Sequence, residues 1–361
     1  MKLISIFIAA LITAFGSVLT AGQTASTAPA NCGKCTPGHC LCGDNCGCAH
    51  DGHDYFTHAP IGVMGDHIHH KGGLMASYRY MFMRMQRNYD GDSQISDAAA
   101  RARYMMNATD MDMQMHMLGV MYAPTDKFTL MLMGNYLDSS MPMVNMMGVK
   151  NIMRTSGYGD TTISGYYSLF REPNRSVHVG LGLSIPTGSI DEEMPNGRNM
   201  GYPMQLGSGT YDLKPSITWV GHSANWSYGS QLSAILRLGE NDNDYRLGDR
   251  VSATGWISRR LNAWSAVSLR LTASTWGDVD GRDQNMAVIP MGPLAGRPMA
   301  APADPNNQGG SRVDLALGLN LWHTESGGRF AIEAGAPIYQ HLDGPQLGTE
   351  WFMTAGFQFA W

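Results

Sequence analysis

The chain has 361 residues, a net charge of −5, and only 15% charged residues against 43% hydrophobic ones. Repeated runs of about 20 apolar residues are missing, which excludes a bundle of transmembrane helices, and the acidic balance excludes a nucleic-acid footprint. Apolar and aromatic stretches recur to the last residue, so most of the chain has surface to bury and is not disordered.

In chain order, Met1 and Lys2 precede LISIFIAALITAFGSVL and a small-residue exit at Ala21 and Gly22. A basic start, an apolar middle and small residues at the end predict a secretory signal peptide over 1–22.

Residues 32–53 read CGKCTPGHCLCGDNCGCAHDGH and hold all six cysteines, Cys32, Cys35, Cys40, Cys42, Cys46 and Cys48. Seven of the twelve histidines lie between His39 and His70. Gly, Asp and Asn fill the gaps, so this stretch has no core of its own and is expected as a disordered, periplasmic, Cys/His-rich extension over 23–72. Thiolates and imidazoles so closely spaced suit Cu(I) or Zn(II). The metal-ligand set is the six cysteines with His39, His50, His53, His67, His69 and His70. An exported chain with an even cysteine count also forms disulfides, and that reading stays open beside the metal one.

From about residue 74 the pattern changes to period two, which is the signature of strands. Strands are predicted near 74–86, 111–122, 128–137, 157–170, 175–186, 210–221, 226–238, 246–260, 264–276, 311–323, 329–341 and 349–361. Short connections such as APTDK, REPN and HSAN alternate with long ones at 87–110, 138–156, 187–209 and 277–310. An even strand count with turns of alternating length predicts an all-β fold, a transmembrane antiparallel β-barrel of about twelve strands over 73–361. A bilayer leaves unpaired backbone groups no water, so a spanning sheet must close on itself. Arg79, Asp112, His116, Asp160, Lys214, Arg237, Asp314 and Glu333 fall on the less apolar side of their strands and are expected to face the lumen.

Eighteen of the 27 methionines fall between Met64 and Met147. Those in MFMRM (81–85) and MDMQMHM (111–117) share one strand face each and are expected to cover the lipid-facing exterior, because Met is an adaptable hydrophobe. Met141, Met143, Met146 and Met147 fall in a predicted external loop, where thioether ligation of Cu(I) is the reading for them. No Walker loop, nucleophile elbow or zincin motif occurs, so no catalytic residue is assigned and no enzyme is expected.

HAPIGVMGDHIHHKGGLMASYRYMFMRMQ (58–86), YPMQLGSGTYDLKP (202–215) and LGENDNDYRLGDR (238–250) resemble a group of bacterial outer-membrane proteins labelled as transporters or placed with a phenol meta-pathway outer-membrane family. The resemblance implies a barrel of about twelve strands and a transport role, and it brings no catalytic residues. The resulting expectation is an outer-membrane transporter or channel in outer-membrane lipid, linked to copper or zinc through the N-terminal segment and a periplasmic metal-handling partner. The alternatives are a channel for hydrophobic or aromatic small molecules, or a barrel enzyme such as a phospholipase.

Overall fold

The computed structural model describes residues 55–323 and 328–361. The Cys-rich stretch, with His39, His50 and His53, lies outside the described residues. The barrel wall is built from β1 (Leu74–Gly91), β2 (Asp110–Thr125), β3 (Phe128–Asn145), β4 (Thr161–Glu172), β5 (Arg175–Ile185), β6 (Tyr211–Ser223), β7 (Trp226–Leu238), β8 (Arg250–Asn262), β9 (Ser265–Trp276) and β10 (Gly310–His323). The last strand element, Gly328–Ala360, folds back at Gly344, whose φ of 65° suits glycine. Its first pass, β11 (328–342), pairs with β10, and its second, β12 (347–360), pairs antiparallel with β1 from Met75↔Ala360 upward. Twelve passes therefore close into a barrel in which each strand pairs with its neighbour in sequence.

Alternation assigns the two faces of the wall. Leu118, Leu132, Leu181, Leu317 and Phe357 stand exposed on the outside, while Thr218, Ser268, Glu333 and Gln358 are buried inside. An apolar exterior around a polar interior is the membrane-spanning arrangement, and the protein is an outer-membrane β-barrel.

Two strands run well past their predicted ends. β1 runs on to Gly91 and β3 to Asn145, each 18 residues long. At about 3.4 Å per residue and a tilt of about 40°, such strands rise roughly 45 Å, well beyond the ~25 Å apolar band. The wall of β1–β3 therefore projects past the membrane on the long-loop side, where the strand Lys150–Tyr158 pairs onto β3 and extends it.

That projection explains a correction. Asp112 and His116 face outward, not into the lumen: Arg84 donates to Asp112 Oδ2 (2.5 Å), and the Tyr78 hydroxyl lies 2.7 Å from His116 Nδ1. The methionines are inverted correspondingly. Met81, Met83 and Met85 pair with Met115, Met113 and Met111 on the inner face, so they line the lumen rather than meet lipid.

The N-terminal stretch also departs from expectation. Residues 56–69, expected within the disordered Cys/His-rich extension, form a plug inside the short-turn half of the barrel, with Phe56, Ala59, Ile61 and Val63 buried. A turn closed by Val63 N–H donating to the Pro60 carbonyl reverses the chain inside the lumen. Apolar side chains at four positions give the segment the burial that its flanking Gly and His residues conceal in the sequence.

Candidate functional site: a plugged lumen with two unlike walls

The plug is held by wall residues from most of the barrel. Arg329 of β11 donates to the Ala59 carbonyl (2.6 Å) and to Gln358 Oε1 (2.7 Å). Gln231 donates to the Met64 carbonyl at 2.9 Å, and His178 Nε2 meets the Gly65 carbonyl at 2.9 Å. Arg260 stacks over Phe56, 4.2 Å from the ring centroid. Beneath Gly62, Arg270 and Glu333 form a buried bidentate ion pair. Each interaction satisfies a plug carbonyl or a wall charge that burial would otherwise leave without water.

Within the plug, four donors meet. His67 Nδ1 lies 2.9 Å from Asp66 Oδ1, and His67 Nε2 lies 3.2 Å from His69 Nε2. The His58 ring packs 4.0 Å from that of His67, and ligand atoms of His58, Asp66 and His67 all fall within 4.8 Å of one another. Asp66 Oδ2 accepts from the Ala59 N–H, tying the two arms of the plug together. Burial, followed by the neighbouring His67, holds His58 well below the usual histidine range, so its ring is neutral. Burial pushes the Asp66 carboxyl up, but the combined pull of His67, His58 and Arg329 wins and leaves it well below the usual carboxylate range.

Of the sequence-predicted ligands, His67 and His69 therefore join this cluster. His70 does not: it is 70% exposed and lies 3.5 Å from Asp126. His58, which the sequence places in the same histidine run as a candidate ligand, and Asp66, which it does not, complete the cluster; the signal for Asp66 is the H-x7-D-H-x-H spacing across the turn.

Above the plug, the lumen has two chemically distinct walls. On β1–β3, Met81, Met83, Met85, Met111, Met113, Met115 and Met117 form a thioether wall. Across the barrel, Lys214 of β6 is held by the hydroxyls of Thr162 and Ser184 (3.0 and 3.1 Å). Arg237 of β7 pairs with Asp212, Arg250 of β8 stacks over Trp276 at 5.1 Å, and Arg312 of β10 pairs with Asp314 at 2.9 Å.

At the long-loop mouth, segments 187–209 and 277–309 fold inward. Gly201 abuts Pro302, and the Tyr104 hydroxyl donates to Asp304 at 2.8 Å. Met141 and Met143 sit on the inner face of β3 and pack with Met111, Met200 and Met204. They are thus strand residues of the lumen, not members of an external loop. Met146 and Met147 lie at the hairpin tip, 66% and 84% exposed, and the structure does not bring them to the other two. Met106, Met141, Met143, Met153, Met194, Met200 and Met299 surround a cavity of about 40 Å³ under the loops.

A family model described as "Putative MetA-pathway of phenol degradation" matches residues 84–289. The chain belongs to this family. The solved structure of an outer membrane channel from Pseudomonas putida F1 is similar over 83% of this chain and 99% of that one, with 14% identity and a TM-score of 0.57. A Pseudomonas aeruginosa FadL homologue is similar over 80% and 90%, with 9% identity and a TM-score of 0.38. The KdgM porin is similar over 79% and 98%, with 10% identity and a TM-score of 0.38. No curated protein sequence matches the chain. The first of these structures establishes the barrel fold and no more.

Proposed function

We propose that the barrel is an outer-membrane channel for small organic solutes with an apolar body and an acidic head. The observation that carries this reading is the division of the lumen: a thioether wall on β1–β3 faces Lys214 and Arg250 across the barrel, flanked by the ion-paired Arg237 and Arg312. Thioethers adapt to irregular apolar shapes, and fixed cations on the far side orient and attract an anionic group. The likeness to a solved outer-membrane channel supports transport. Passage requires the plug or the inward loops to move.

The test is conductance in planar bilayers with chloride against benzoate, a simple aromatic carboxylate. Anion selectivity and a benzoate-dependent drop in chloride current are expected, and both should weaken in a Lys214→Gln, Arg250→Gln variant. A cation-selective pore indifferent to benzoate would sink the reading.

A second reading, copper handling, is favoured by the seven thioethers around the 40 Å³ cavity. That volume admits an ion but not an organic solute, and thioether sulfur selects Cu(I). Silver(I) titration, as a redox-stable substitute, should then saturate a site that Met141→Leu with Met143→Leu abolishes.

A further inference from the structure

The four donors inside the plug belong to neither the organic-solute path nor the thioether cavity. We propose that His58, His67 and His69, with Asp66 holding the His67 ring in place, bind one divalent transition-metal ion of the Zn²⁺ class, which clamps the two arms of the plug to each other inside the barrel.

The geometry is suited to such an ion before it arrives. Two imidazole nitrogens bound at about 2.0–2.1 Å to one tetrahedral ion stand roughly 3.4 Å apart. His67 Nε2 and His69 Nε2 stand 3.2 Å apart. They alternate in an extended stretch, so both rings lie on one side of the chain. Asp66 accepts from His67 Nδ1, which fixes the ring with Nε2 directed at His69; this carboxylate–histidine arrangement orients metal-binding imidazoles generally. His58, on the other arm, packs against the His67 ring, with a ligand atom within 4.8 Å of one on His67 and one on Asp66, and is the third nitrogen of the proposed site. Neutral imidazoles with a nearby carboxylate favour Zn²⁺, Cu²⁺ or Ni²⁺ over Ca²⁺ or Mg²⁺.

The site is also reachable. A cavity of about 510 Å³ opens near the short-turn mouth, and Asp66, His67, Pro173, His178 and His222 are among its lining residues. It gives an ion a route in and leaves room for a water as the fourth ligand.

The consequence is regulatory. An ion bridging His58 to His67 and His69 closes a short loop around the Pro60–Val63 turn. Because only the folded-back plug presents the three nitrogens together, the ion stabilises that conformation by mass action. A metal-loaded plug stays in the lumen longer than an empty one.

The test uses the full-length chain with all six cysteines changed to serine, so that thiols contribute nothing. Equilibrium dialysis against Zn²⁺ should give one bound ion. His67→Ala with His69→Ala should lose it, and Asp66→Asn, which keeps an acceptor for the Ala59 N–H, should weaken it by about 10- to 100-fold. His70→Ala, outside the cluster, should bind as the parent does. Circular dichroism and heat-modified gel mobility establish that each variant is a folded barrel. As a second readout, Zn²⁺ should lower the open probability of the parent in planar bilayers and leave the double variant unchanged. No bound Zn²⁺ in the parent, or equal binding in the double variant, overturns the proposal and leaves the cluster as hydrogen-bonded core histidines.

Discussion

Gly65 offers the sharpest test that the lumen is closed by a docked segment. Its φ is +60°, and a Cβ placed there would stand 2.4 Å from the ring and hydroxyl of Tyr166, itself buried in the wall. Gly65→Ala therefore meets two penalties: about 1–2 kcal/mol for the left-handed backbone and about 1–3 kcal/mol for overpacking against Tyr166. The His178 bond to the Gly65 carbonyl is strained by the same shift. At 1.4 kcal/mol per factor of ten, a total of roughly 2–5 kcal/mol raises the undocked population by about 30-fold to several thousand-fold. Gly72 supplies the control, because its φ is +83° and nothing lies within 4 Å of its Cβ position. Gly72→Ala should therefore show the backbone penalty alone, about tenfold. The assay is hydrogen exchange of amides 56–69 alongside single-channel open probability. If Gly65→Ala exchanges and conducts no faster than Gly72→Ala, the plug does not pack against Tyr166 as described.

Other perturbations follow the same physics. Glu333→Gln removes one partner of the buried Arg270 pair beneath the plug, and breaking such a pair costs about 3–5 kcal/mol, which should appear as a lower temperature of gel-mobility change. Leu317, 68% exposed on the outer face, should lose about 2–4 kcal/mol as Leu317→Lys in urea titration of the refolded barrel, whereas a lumen-facing Thr272→Lys should not show this lipid-dependent loss. The plug should also respond to acid. His58 faces Asp66, His67, His69 and Arg329, and its folded value is depressed below the unfolded 6.5. Its contribution to docking is complete above about pH 6.5 and is lost as pH falls through the lower folded value. Asp66, also depressed, contributes above its unfolded value of 3.8 and loses that contribution only at still lower pH. Open probability should thus rise on acidification below about pH 6, and His58→Ala should flatten that rise; an unchanged profile in that variant removes His58 as the titrating group.

The strands were legible because a two-residue period survives in sequence wherever one face meets lipid. The C-terminal pass shows this: Trp351, Phe357, Phe359 and Trp361 stand outward and exposed, as the alternation requires. Alternation alone, however, separates two faces without saying which one is wet. For the methionine strands the decision lay in residue parity across the whole strand. Arg79 shares its face with Met81, Met83 and Met85, so an inward arginine carries those methionines inward with it. The competing signal came from Arg84, Asp112 and His116 on the other face, which suggested a polar lumen there. Those charges satisfy one another across β1 and β2 on a wall that rises above the bilayer, where an outward ion pair has water beside it. A strand assumed to end with the membrane hides this; one 18 residues long does not. The plug was illegible for a different reason. Its binding partners are Arg329, Gln231, His178 and Arg270, each more than 100 residues away in sequence, so its order comes from the closed barrel around it and not from any local pattern. The same dependence makes the histidine cluster a property of the assembled lumen: H-x7-D-H-x-H becomes a set of converging donors only after wall hydrogen bonds fold the two arms together.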